Sequence, residues 1–282
     1  MHLWRKYFWN ITKIKMLTII QKTIKDKYKT LLIYIIANLA MLLMYVAIFP
    51  LVTKQMDSLL QVLNSMPQEL LKAFGSDATS MTTLEGILSG KQFNMLWPII
   101  TVVFTTNFAA YSIAQEVDKK TFSILLAQPI SRAKIYWGKY LTGLLFALMY
   151  VVFTVPITII VVKVFNVSIN EVNVLKFSLE ATFFTFAFYS VAFMISAMVR
   201  DTTPVYFVCI GMIIGMYFLQ VMAILLTQLE PLKYFSAFYY ADSARSLVKG
   251  VLMPEGLLLF AIIGGISSLI GAFVFNKRDI TT

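Results

Sequence analysis

Six long apolar runs constrain this chain more than any other feature of its sequence. They cover residues 31–52, 95–114, 140–162, 177–199, 205–227 and 256–275. A helix needs about 20 consecutive apolar residues to cross the hydrocarbon core of a membrane, and each run has about that length. In a chain of 282 residues these runs leave no room for a large soluble domain. The sequence therefore predicts an all-α, polytopic membrane protein in which residues 1–282 form a single transmembrane domain with six transmembrane helices.

The polar residues argue against most enzyme classes. The one cysteine, Cys209, lies inside an apolar run, and the one histidine, His2, lies at the N-terminus, so intrachain disulfides and His-based metal sites are excluded. The phosphate-binding pattern G-x-x-x-x-G-K-[ST] does not occur. The runs are nearly free of charge, with Glu180 and Lys163 expected near their outer ends, which disfavours an ion-coupled carrier. We therefore predict no catalytic residue, no metal site and no cofactor bound by this chain.

The distribution of basic residues predicts the orientation. Of the 24 Lys and Arg residues, 16 lie in the segments that share a side with the N-terminus, and eight of those precede residue 30. Basic loops favour the cytoplasmic side, so both termini are expected in the cytoplasm. The net charge of +10 is then attributed to contact with anionic membrane lipid rather than with nucleic acid.

Residues 1–29 have the pattern of a basic amphipathic helix. Leu17, Ile20, Ile24 and Tyr28 recur at helical spacing, while lysines lie off that stripe. We predict an N-terminal amphipathic elbow helix that lies on the inner leaflet. It would serve either as a topology anchor alone or also as a contact for a cytoplasmic partner.

Two outer segments are predicted to contain structure of their own. Residues 53–94 predict a small helical extracellular loop, with Thr82 and Glu85 at the spacing of a capping box. Residues 228–255 are aromatic and interrupted by proline and glycine, which favours broken re-entrant or interfacial helices before the sixth span. An ordinary aromatic belt is the alternative for this second segment.

The cytoplasmic connection at residues 115–135, between spans 2 and 3, is the most informative segment. Phe122, Leu125 and Leu126 form an apolar face at helical spacing. Acidic residues precede this face, and Pro129 ends it. A short apolar helix in a cytoplasmic loop predicts docking into a groove of a partner protein.

This segment resembles the signature of the type-2 ABC (ATP-binding cassette) transporter permeases, which is roughly E-x-x-x-G-T-x-x-x-L-L-x-x-P-[IV]-S-R-x-x-[IV]-x-x-x-K. Lys120 stands where the family usually has glycine. The elbow helix, the six spans and the broken helices before span 6 agree with the same family. The matching residues are Glu116, Thr121, Leu125, Leu126, Pro129, Ile130, Ser131, Arg132 and Lys139.

The resemblance implies a permease subunit of an ATP-driven exporter, which pairs with a second permease chain as a homodimer or heterodimer. Two copies of a cytoplasmic ABC ATPase subunit would bind ATP and Mg and receive the coupling helix between spans 2 and 3. The bare apolar spans favour an amphipathic or hydrophobic substrate, such as a peptide, an antibiotic or a lipid. The residues expected to contact the ATPase subunit are Glu116, Asp118, Thr121, Phe122, Leu125, Leu126 and Arg132.

Two further interpretations remain open from the sequence. Gly211 and Gly215 form a G-x-x-x-G pattern in span 5, while Gly264, Ser268 and Ala272 form a small-residue stripe in span 6. Either pattern would serve the permease dimer or packing within one subunit. The Lys-, Ile- and Phe-rich composition favours a bacterial plasma membrane. The alternative function is a membrane scaffold or sensor that recruits a cytoplasmic partner without transport.

Overall fold

The structure is a computed structural model, and it describes residues 2–55, 61, 65, 83–120 and 131–278, without the side chains of residues 2–20 and 22. These residues are almost entirely helical, and none of them forms a strand. Six helices among them are long and apolar enough to cross a membrane. The predicted all-α class with six transmembrane helices is confirmed.

The six candidate spans follow one another along the chain with short connections. We number them span 1 to span 6 in chain order. They are Thr23–Lys54, Leu84–Asp118, Arg132–Val164, Glu171–Met198, Thr203–Leu225 and Pro254–Lys277.

Span 1 is the second half of a much longer helix. The helix His2–Lys54 has 53 residues and a length of about 80 Å, more than twice the thickness of a membrane core. The predicted separate elbow helix, with an end at residue 29, is not seen, since the helix continues through that point. Its only proline is Pro50, so the sequence around residue 29 contains no residue that would break it.

Span 2 begins at Leu84, ten residues before the predicted end of the outer loop. The side chain of Thr83 caps its first turn by accepting a hydrogen bond from the Gly86 backbone N–H at 3.2 Å. Thr82, which was predicted to form the capping box with Glu85, lies outside the described residues. A π-helical stretch, Leu88–Leu96, then joins the α-helix Trp97–Ser112. Polar residues lower the hydropathy of this stretch, so the sequence did not predict that the helix begins here. Residues 56–60, 62–64 and 66–82 of the predicted helical loop lie outside the described residues.

Span 3 is bent by a proline, as a proline within a helix requires. The helix Arg132–Thr154 ends just before Pro156, and a second helix, Ile157–Val164, continues from it. The proline lacks the N–H that would bond to the preceding turn, so the helix is interrupted there.

Span 4 is the centre of the fold, while span 5 is peripheral. Span 4 packs most extensively against span 6 and also contacts spans 2 and 3. Aromatic rings fill the space between spans 3 and 4, where the Tyr189 hydroxyl donates to the Tyr140 carbonyl at 3.0 Å. Two thirds (67%) of the apolar window of span 2 is buried, compared with 17% for span 5. Most of the surface of span 5 is therefore available to lipid or to another protein.

The segment before span 6 consists of three short helical pieces. They are a 3-10 helix, Thr227–Phe235, an α-helical turn, Ala237–Tyr240, and a π-helical turn, Ala244–Val248. This segment, which we call the outer segment and extend to Met253, is fixed to span 4 by hydrogen bonds. The Asn173 amide donates to the Leu247 carbonyl at 3.0 Å, and the Lys176 ammonium donates to the Gly250 carbonyl at 2.6 Å. Whether the pieces enter the membrane stays a prediction.

Candidate partner-docking site

Span 2 ends in a short helix that leads into the link between spans 2 and 3 and is tied to span 4. The chain turns at Ile113 and forms the helix Ala114–Asp118. The Ala114 backbone N–H donates to the Ser196 hydroxyl at 3.1 Å, and this hydroxyl donates to the Ala109 carbonyl at 2.8 Å. A single side chain of span 4 therefore holds the end of span 2 and the start of the link.

Lys120 ends this short helix in a left-handed backbone conformation. Its φ angle is +56°, and its N–H donates to the Val117 carbonyl at 3.0 Å. A left-handed residue just after a helix is most often glycine, because a side chain strains this conformation. The position of the usual glycine in the signature therefore has a structural reason, and Lys120 adopts the same turn.

Lys139 closes the base of the link. Only 5% of its side chain is exposed, and its ammonium lies 2.7 Å from a carboxylate oxygen of Glu116. The same ammonium donates to the Ser112 carbonyl at 2.7 Å. A buried ammonium is stable only with such partners, because desolvation strongly disfavours an unpaired charge. The first and last residues of the signature thus form an ion pair.

A second set of contacts joins the other end of the link to spans 4 and 6. The Arg132 guanidinium, at the start of span 3, donates to the Arg278 carbonyl at 2.6 Å. The Arg278 guanidinium donates to the Ala197 and Val199 carbonyls at 2.9 Å each. These carbonyls lie at the end of span 4, where the helix has no further N–H groups to satisfy them. Burial and the positive charge of Arg200 lower the pKa of Arg278, yet an arginine remains charged in proteins.

Span 1 also contacts this region. The Lys27 ammonium lies 3.4 Å from the centre of the Tyr111 ring, near the C-terminal end of span 2. This cation–π contact places the long first helix beside the start of the link.

The predicted partner-binding residues have different positions in the structure. Asp118 is exposed, while Glu116 and Arg132 are half-buried and bonded within the chain. The pairing of Glu116 with Lys139 and the contacts of Arg278 were not among the predicted features. The available signals were a lysine just before an apolar run and an arginine just after one. The remaining predicted contacts, Thr121, Phe122, Leu125 and Leu126, lie outside the described residues.

The two small-residue patterns differ in their surroundings. A methyl group added at Gly211 or at Gly215 would meet nothing within 4 Å. A methyl group at Gly264 would instead overlap the ring of Phe186 on span 4. The stripe in span 6 thus packs inside the subunit. The glycines of span 5 lie on its open surface, and their part in a dimer stays a prediction.

Glu180 is not at an outer end in contact with water, contrary to the expectation from sequence. It lies nine residues into span 4, and only 2% of it is exposed. One of its carboxylate oxygens accepts from the Met253 backbone N–H at 3.3 Å, next to the first turn of span 6. The spans therefore contain a buried acidic residue, which binds the outer segment to span 4.

The fold and the site together define a multi-pass membrane protein in which the link between the second and third of six spans is clamped at its base. The family model described as ABC-2 family transporter protein matches residues 17–280. The chain belongs to this family, so it is a membrane permease component of an ABC transporter, distinct from the ATPase. A comparison with curated proteins found no match.

Proposed function

We propose that this chain is the membrane-spanning permease subunit of an ATP-driven exporter, which moves an amphipathic or hydrophobic substrate such as a peptide, an antibiotic or a lipid. A separate cytoplasmic ATPase subunit, in two copies per transporter, supplies the energy and binds ATP and Mg. Membership of the ABC-2 family supports an ATPase partner in general. The proposal adds the direction, the class of substrate and the route of coupling.

The clamped base of the link is the observation that carries this proposal. Glu116 and Lys139 lie 23 positions apart in sequence, and their ion pair brings the two ends of the link together. The two ends of the signature therefore lie close together at this pair, as expected for the base of a docking element. Asp118, Lys119 and Lys120 are exposed just beyond the clamp. Phe122, Leu125 and Leu126 would provide the apolar contacts with the ATPase subunit.

Pairing with a second permease chain would use the open face of span 5. This face carries large apolar side chains beside Gly211 and Gly215, and Phe207 alone is 80% exposed. Small residues allow two helix backbones to approach closely in a membrane. The proposed pairing would cover this surface in a homodimer or a heterodimer.

The orientation and location are part of the same proposal. Both termini lie in the cytoplasm of a bacterial cell, and the spans cross its plasma membrane. The excess of basic residues on the side of the link supports this orientation. It places the outer segment and the segment between spans 1 and 2 on the extracellular side.

Copurification tests the proposal. The tagged chain is extracted from its native membrane in a mild detergent, the bound proteins are identified, and ATP hydrolysis is measured. We expect a subunit with a phosphate-binding P-loop, and we expect Leu125→Glu with Leu126→Glu to release it. Leu226→Glu with Leu229→Glu, at two exposed leucines that follow span 5 at the end of the bundle opposite the link, is the matched control. A chain that emerges with a cytoplasmic partner but without hydrolysis would favour the scaffold or sensor.

A further inference from the structure

Span 4 is attached to its neighbours at both ends by hydrogen bonds to charged or polar side chains. It is a single helix of 28 residues, Glu171–Met198, and it is about 42 Å long. It contains no proline or glycine. Such a helix transmits a displacement of one end to the other, because its backbone hydrogen bonds resist bending.

At the inner end, span 4 is bound to the link. The Ser196 hydroxyl of span 4 accepts a hydrogen bond from the Ala114 backbone N–H, just before the link. The Arg278 guanidinium donates to the Ala197 and Val199 carbonyls of span 4. The Arg278 carbonyl accepts from Arg132, which follows the link at the start of span 3, so Arg278 connects span 4 with the end of the link. Hydrogen bonds from a guanidinium to helix-terminal carbonyls are charge-assisted and stronger than neutral ones.

At the outer end, span 4 is bound to the outer segment. Asn173, Lys176 and Glu180 are spaced by three and four residues, so they share one face of the helix. They bond to the backbone of Leu247, Gly250 and Met253, in that order.

Gly250 shows how close the contact with span 4 is. It has a φ angle of +66°, and a methyl group at this position would lie 3.2 Å from two atoms of the Asn173 amide and closer still to its oxygen. The outer segment is thus held against span 4 by three bonds to its backbone and by close packing.

We infer that span 4 is the element that carries a displacement of the link across the membrane to the outer segment, with Arg278 and Glu180 as positioning residues at its inner and outer ends. This inference rests on the proposed function, because the displacement originates in the ATPase subunit. Neither residue contacts the nucleotide. Arg278 attaches span 4 to the link, and Glu180 attaches the outer segment to span 4.

Hydrogen exchange of the intact complex tests the inference without knowledge of the substrate. The complex of permease and ATPase subunits is compared without nucleotide and with ATP plus orthovanadate. Exchange is measured in residues 112–139 and in residues 227–253. In the unmodified complex we expect nucleotide to change exchange in both regions.

Two variants separate the two ends of span 4. In Arg278→Gln and in Glu180→Leu, the link should still respond to nucleotide, while the response of the outer segment should fall at least threefold. Lys277→Gln and Glu171→Gln, which change exposed neighbours, should retain both responses. Arg278→Lys keeps a cationic donor, so its outer response should lie between those of the unmodified complex and Arg278→Gln. If Arg278→Gln does not fold, Arg278→Lys takes its place, and its outer response should still be lower than that of the unmodified complex. A loss of packing alone would lower thermal stability without changing the ratio of outer to inner response.

The possible outcomes are distinct. Full outer responses in both variants would overturn the inference, as would an unmodified complex in which the link responds and the outer segment does not. Absence of an ATPase subunit, or of any response in the link, would instead contradict the proposed function.

Discussion

Glu116 and Lys139, which begin and end the signature of the link, form an ion pair at 2.7 Å. Lys139 is almost fully buried in span 3, whereas 31% of the Glu116 side chain is exposed. The buried partner therefore depends on the pair more than the exposed one does. Substitutions of Lys139 and Glu116 should therefore affect the stability of the protein differently.

Lys139→Met should destabilise the protein by about 1–3 kcal/mol, because it removes the partner of a half-buried carboxylate and the donor to the Ser112 carbonyl. Thermal unfolding of the purified chain in detergent measures the effect. The exposed Lys134 offers a control, since Lys134→Met should change stability by less than about 0.5 kcal/mol. Glu116→Gln combined with Lys139→Met should be more stable than Lys139→Met alone. Equal stability of the two would show that the unpaired Glu116 carboxylate adds nothing to the cost of losing Lys139.

Lys120→Gly should stabilise the chain by about 0.5–1 kcal/mol, because glycine adopts a φ of +56° without strain. The neighbouring Lys119 has a φ of −78°, so Lys119→Gly should be neutral or destabilising. The two melting temperatures, measured side by side, check the prediction. Destabilisation by Lys120→Gly would mean that the lysine side chain contributes more than its backbone strain costs.

Gly211→Leu and Gly215→Leu should leave the melting temperature of the single chain nearly unchanged, because a larger side chain finds open space at both positions. They should weaken pairing of permease chains, measured as the fraction of dimer by native mass spectrometry. Gly264→Leu should instead destabilise each subunit by about 1–3 kcal/mol through overlap with Phe186. Unchanged dimer fractions in both span 5 variants would exclude this face from the permease interface.

Asp242 should make stability depend on pH. Burial raises the pKa of its carboxyl group, while its oxygen accepts from the Ala244 backbone N–H at 3.0 Å. The native state therefore binds this proton more tightly than the unfolded chain does. The free energy of unfolding should fall as pH rises above the unfolded pKa of about 3.9. Asp242→Asn removes this contribution, so the melting temperature of the variant should decline less between about pH 4 and pH 7.

Asp201→Asn is the control for that titration. Asp201 is exposed, and it accepts the same kind of backbone bond, from Thr203 at 3.0 Å. It differs from Asp242 in being exposed rather than buried, so the two substitutions compare the same backbone bond with and without burial. An equal effect of both substitutions would show that burial of Asp242 is not the cause.

The sequence predicted the spans better than it predicted their inner contacts. Hydropathy along the chain reports which stretches prefer lipid, so six spans could be counted. It does not report which side of a helix faces a neighbour. Glu180 was therefore expected near an outer end, although it is buried against Met253. The start of span 2 was placed too late for a related reason: Ser89 and Gln92 are polar, yet they bond to Ser243 and Asn38 inside the bundle.

The position of the docking site stays a prediction from sequence, whereas the contacts at its base could not be predicted. The apolar spacing of Phe122, Leu125 and Leu126 predicts a docking helix from local periodicity alone. The pairing of Glu116 with Lys139 spans 23 positions and depends on how spans 2 and 3 pack. The bonds of Arg278 depend in addition on where span 6 ends relative to span 4. Such contacts arise from the tertiary fold.

Photocrosslinking in living cells tests the central claim most directly. A benzophenone amino acid replaces Phe122 in the link or, as the control, Phe165 at the end of span 3 distant from the link. The account predicts that illumination joins position 122 to a P-loop ATPase subunit and that position 165 gives no such product. A link that crosslinks only to a protein without a P-loop, or to no protein, would contradict the assignment of this segment as the ATPase-docking element.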